Sequence, residues 1–168
     1  MTAPVTTLTA IRCTLELAYT NIQHSRMRGL PIVNPALQVA VVGLRHWNGL
    51  YVGVLVTPWC MNLLALPVPS GCALPMVATG TTHTIDLPTG RYDLLAAHLP
   101  QIGHYLCGSL YSPMEAFTSQ TEAVTAAAAA LELLFDIGAQ APAEAAPSGT
   151  VTTDVISRRS FLFHRPIR

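Results

Sequence analysis

The chain has 168 residues, 51% of them hydrophobic and only 11% charged, with a formal net charge of zero. That length supports one domain with a true core and excludes two ordinary ones. The longest greasy stretch, Gly49 to Pro69, is broken by Thr57, Pro58, Asn62 and Pro67, so it excludes a membrane-spanning helix.

The charge is unevenly placed. Every cation among the Lys and Arg positions is arginine, and four of the nine (158, 159, 165 and 168) fall after Thr150 against Asp154 alone. The tail therefore carries net +3 and the body net −3. A body without a basic face argues against nucleic acid as the main partner, while a basic tail on an acidic body permits attraction within one molecule or between two. No positively charged leader followed by an apolar run opens the sequence, so a cytoplasmic location is expected. Four scattered cysteines (13, 60, 72 and 107) form no CxxC pair and read as free packing thiols.

In chain order, Leu8, Ile11, Leu15, Ala18 and Ile22 recur at three- and four-residue steps and predict an amphipathic helix over 6–27. Gly29 stops it, and Pro31 and Pro35 impose an extended passage. Leu37–Arg45 and Leu50–Thr57 read as strands joined through Asn48-Gly49, the pair that best suits a two-residue hairpin turn. "TPWCMNLLALPVP" (57–69) reads as a proline-bounded turn and a short buried segment. Thr82–Leu87 and Arg91–Ala97 form a second antiparallel pair around Pro88-Thr89-Gly90, and Gly103–Leu110 adds a further strand. Ser119 with Glu122 makes a capping box ahead of an alanine-rich helix to Phe135, which Gly138 ends. The expected fold is α+β: an antiparallel sheet of five or six strands packed with an N-terminal and a C-terminal helix over 1–138. An Ala/Pro linker (139–149) and a basic tail (150–168) follow.

Catalytic groups are thin. His83, His98 and His104 sit on or beside strands without the spacing of a catalytic motif, and no phosphate-cradling glycine loop, HExxH or G-x-S-x-G occurs. The expectation is a protein that is no enzyme and holds no cofactor or metal. The aromatic, methionine and proline content of "TPWCMNLLALP" and "SLYSPMEAF" suits either peptide contact or a corner of the core closed by Trp59 and Met114. There Trp59, Met61, Asn62, Met114, Glu115 and Phe117 are the candidates, with an apolar grip and a carboxylate for an arginine.

The segments "MRGLPIVNPAL" (27–37), "WNGLYVGVLVTPWCMNLL" (47–64) and "CGSLYSPMEAF" (107–117) closely resemble the [NiFe]-hydrogenase assembly chaperones of the HybE type, a likeness that covers residues 10–137. Cys60 departs from the phenylalanine expected in that pattern. The rubredoxin-like module of some relatives is not expected here, since no CxxC pair exists. The resemblance implies a cytoplasmic chaperone that binds a hydrogenase precursor, the small subunit before the large, and delays its twin-arginine export until the metal centres are installed. The alternative is a metal or iron–sulfur delivery factor built on Cys107, His104 and another thiol. Self-association through an apolar surface is a third reading.

One motif stands apart. Ser157-Arg158-Arg159-Ser160-Phe161-Leu162 has the form of a twin-arginine signal at the wrong end of the chain, without the apolar stretch that export needs. It reads as a signal mimic, with Arg158 and Arg159 seeking carboxylates among Asp86, Asp93, Glu115 and Glu122, and Phe161 and Leu162 seeking an apolar slot.

Overall fold

The structure, a computed structural model, describes residues 5–68 and 78–136. The predicted stop at Gly138, the linker, the basic tail and Cys72 lie outside the described residues.

Helix α1 (Val5–Ser25) opens the fold. Its predicted stripe is its packed face: Leu15, Ala18 and Tyr19 are buried, with Leu8, Ile11 and Ile22 partly so. Six strands follow: β1 (Ala40–Trp47), β2 (Leu50–Val56), β3 (Met61–Pro67), β4 (Thr82–Leu87), β5 (Gly90–Leu99) and β6 (Gly103–Tyr111). Helix α2 (Gln120–Phe135) is the last described element. The strands form one antiparallel sheet in the order β1-β2-β3-β6-β5-β4. The β1–β2 turn places Asn48 at φ 45° and Gly49 at φ 76°, the two left-handed residues that a tight hairpin requires.

The two helices lie on opposite faces. Val52, Val54 and Val56 of β2 join Met61, Leu63 and Ala65 of β3 on the α2 side. Tyr51, Leu55, Leu64 and Leu66, the alternate residues, lie on the α1 side. With both faces covered, β2 and β3 read as nearly unbroken apolar runs. This explains why the 61–67 run looks in sequence like a short buried segment when it is a central strand.

Ser119 caps α2 in extended geometry, its hydroxyl accepting from the Glu122 N–H at 3.2 Å. Glu122 reaches back to the Thr118 N–H (2.9 Å) and hydroxyl (3.0 Å). Ala123 and Ala127, one turn apart and wholly buried, let the helix backbone approach the sheet closely, and Leu131 and Leu134 fill the space beyond. The sheet curls far enough around α2 for its two edges to meet, the Trp47 indole N–H of β1 donating to the Asp86 carbonyl of β4 at 2.8 Å.

Candidate functional site

Three segments far apart in sequence converge beside the N-terminus of α2. The passage 30–37, denied helix by Pro31 and Pro35, is pinned by Asn34. The Asn34 side-chain amide donates to the carbonyls of Met114 (3.0 Å) and Phe117 (2.8 Å), and its oxygen accepts from the Ala36 N–H at 3.0 Å. The Asn34 backbone N–H donates to the Pro58 carbonyl at 2.9 Å, tying in the 57–60 turn. That turn is organised by Thr57, itself wholly buried. Its hydroxyl donates to the Cys60 carbonyl (2.8 Å) and accepts from the Cys60 N–H (2.9 Å). The three stretches that carry the resemblance thus meet at one place.

Between the first and third lies an open cleft of about 670 Å³. Residues 31–36 form one wall, and Pro113, Glu115, Phe117 and Thr118 form the other. The lining is chiefly proline, Ile32, Val33 and Phe117. Among the described residues, Glu115 is the only charged side chain in it, and it is exposed. Phe117 is held edge-on against Tyr111, ring centres 5.0 Å apart. Ile32, in the lining, and Leu30, two residues before it, are each 44% exposed.

The six contact candidates do not form one patch. Glu115 and Phe117 line the cleft. Met114 and Met61 are sealed in the core on the α2 side, 0% and 2% exposed, so neither side chain presents a grip of its own. Trp59 and Asn62 are half-buried on the other side of the sheet, Trp59 against the cluster under α1. The 31–36 wall was not among the candidates. Its signal in the sequence was present all the same, two prolines around exposed apolar residues.

The thiols were the other sharp possibility. Burial raises the pKa of Cys60 and Cys107 above the usual thiol value, so both are held neutral, and the Thr57 hydroxyl lies 3.4 Å from the Cys60 sulfur. Among the described residues no three His, Cys, Asp or Glu side chains gather as a metal would need. Nor is any described helix long and apolar enough to cross a membrane. On the α1 side the Tyr19 and Tyr105 hydroxyls meet at 2.7 Å, buried, and desolvation pushes both phenols above their usual range.

A six-stranded antiparallel sheet with one helix on each face is the fold of HybE from Escherichia coli. Its solution structure matches 89% of this chain and 91% of its own at a TM-score of 0.63, with 21% identity. The sequence places the chain more closely: it belongs to the family described as "[NiFe]-hydrogenase assembly, chaperone, HybE", matched over residues 10–164. The hydrogenase expression/formation protein HoxT of Azotobacter vinelandii is 37% identical over 144 residues, 85% of this chain and 92% of that one. A protein named probable rubredoxin HupJ, from Rhodobacter capsulatus, is 38% identical over 117 residues. The match takes in 70% of this chain but 42% of that relative. The family match runs past residue 137, where the resemblance read from the sequence ended, and takes in the Arg158-Arg159 motif.

Proposed function

We propose that this hydrogenase assembly chaperone holds an extended, arginine-bearing apolar segment of a hydrogenase precursor in the cleft between residues 31–36 and 113–118. The client segment is the twin-arginine signal of the small subunit, and the place of action is the cytoplasm. The observation that carries the reading is the make-up of the cleft among the described residues: proline, isoleucine and phenylalanine walls with the Glu115 carboxylate. Such a site gives apolar side chains a slot and an arginine one forked acceptor, the two features that a twin-arginine segment presents. Its open, mainly apolar walls suit holding a peptide segment, so the action is retention rather than turnover. A signal bound by chaperone present well above its Kd is mostly withheld from the export machinery, which delays export by mass action alone.

The test is co-purification of a tagged small-subunit precursor, with and without its signal, against the natural chain and an Ile32→Ser variant. Ile32 is half in water, so the change leaves the core untouched. The complete precursor is expected to retain the natural chain, and retention is expected to fall several-fold with either the variant or the signal-less precursor. Equal retention in all pairings would place the contact elsewhere.

A further inference from the structure

We propose that the cleft has a resident occupant, the chain's own segment Arg158-Arg159-Ser160-Phe161-Leu162, which a client must displace. The inference rests on the cleft being the client site, and it adds regulation of that site.

Charge complementarity is the first support. The body is net −3 and the residues from Thr150 onward are net +3. At the cleft itself the one charged side chain among the described lining residues is the Glu115 carboxylate. Thr118, also in the lining, carries a second anion beside it, since the Glu122 carboxylate accepts from both its N–H and its hydroxyl. The two adjacent arginines suit the Glu115 and Glu122 carboxylates, and Phe161 and Leu162 suit the Ile32 and Phe117 walls.

Length is the second support. The cleft adjoins the N-terminus of α2 and the described chain ends one residue past its C-terminus, so the tail must return along a helix of 16 residues, about 24 Å. The 20 residues from 137 to 156 extend to roughly 65 Å, well beyond that span. A tether of this order holds its ligand at an effective concentration on the order of 1 mM. A tail of only ~100 μM intrinsic affinity would then fill the cleft about ten times out of eleven and weaken an outside ligand about tenfold. The motif also lies inside the span matched to the family, which reaches residue 164.

The experiment compares the full chain with a full-length variant carrying Arg158→Ala, Arg159→Ala and Phe161→Ala. The probe is a fluorescein-labelled peptide of residues 154–168, followed by anisotropy, with NMR of the Asn34 side-chain amide and the Phe117 backbone amide. The variant is expected to bind the peptide about tenfold more tightly than the natural chain, and both resonances are expected to differ between the two proteins. Adding Glu115→Lys to the variant is expected to abolish the gain. Equal affinities with unchanged resonances, or peptide that binds neither protein, would overturn the proposal. So would a concentration-dependent dimer that only the natural chain forms, which would put the tail in a neighbour's cleft. The client reading fails separately: the peptide would bind the two proteins with the affinities expected above, yet precursor would be retained by neither.

Discussion

The side-chain amide of Asn34 donates to the Phe117 carbonyl at 2.8 Å, joining the two walls of the cleft across 83 positions of sequence. The same amide also serves the Met114 carbonyl at 3.0 Å. Asn34→Ala removes both bonds and the Asx turn onto Ala36, and is expected to cost about 1–3 kcal/mol. Asn34→Asp retains the turn but aims a carboxylate at two carbonyls and is expected to cost more. Urea midpoints order the three proteins, and an Asn34→Asp variant as stable as the natural chain would show that the walls are held otherwise.

Gly43 is fixed by two independent demands. It sits at φ 64° in the irregular part of β1, where the register to β2 shifts between Val42 and Arg45. A Cβ there would also collide with a methyl of Leu131 on α2. Gly43→Ala therefore combines left-handed strain of about 1–2 kcal/mol with displacement of a fully buried leucine. The expected loss is about 2–3 kcal/mol, read as a fall in Tm of about 5–10 °C for a domain of this size. A change under 1 °C would mean that β1 moves freely at the bulge.

Much of this architecture was legible because local chemistry and global fold agreed. Asn48-Gly49 demanded a hairpin and made one; Ser119 and Glu122 announced the start of α2; the spacing of Leu8, Ile11, Leu15, Ala18 and Ile22 fixed the buried face of α1. Strand β3 was obscured because burial on both faces erases the alternation that marks a strand, and because Pro58 and Pro67 bracket it. The cleft was half legible. Glu115 and Phe117 were found through composition, but composition cannot say which way a side chain points, and Met61 and Met114 turned inward to the core. The 31–36 wall depends on a hydrogen bond to residues 80 and 83 positions away, a relationship that no local pattern encodes.

The buried phenol pair predicts alkaline lability with a definite sign. Tyr19 and Tyr105 titrate higher in the folded protein than their ordinary value of 10.0, mainly because burial disfavours phenolate. The folded state therefore keeps these protons where the unfolded chain releases them. Their contribution is complete below about pH 10 and is lost as pH rises above it, with Cys60 and Cys107 acting likewise from their ordinary 9.0. Stability measured by urea from pH 8 to 11 is expected to fall, and the fall is expected to be shallower in Tyr19→Phe/Tyr105→Phe. At pH 7 a single Tyr105→Phe leaves the Tyr19 hydroxyl without its partner and costs about 1–2 kcal/mol, while the double change costs less than the two singles together. Strict additivity would show that the 2.7 Å contact contributes nothing.

Glu115 and Glu122 stand near the same cleft but are expected to respond differently to loss of charge. Glu122 is held below the usual carboxylate range, chiefly by the Thr118 backbone N–H and then by its hydroxyl, so its negative charge is engaged in capping α2. Its stabilising effect is present above the ordinary carboxylate pKa and fades as pH falls through the lower, folded value. Glu115 caps nothing and lies in the lining. Glu115→Gln is therefore expected to leave the thermal midpoint unchanged while weakening an arginine-bearing peptide about five- to tenfold, an effect that shrinks as salt is raised from 50 to 500 mM. Glu122→Gln is expected to lower the midpoint and to weaken the peptide less than Glu115→Gln does, since its carboxylate, the second acceptor beside the cleft, is already engaged by Thr118. The opposite assignment, with Glu122 governing binding at undiminished stability, would move the arginine from the cleft lining to the helix cap.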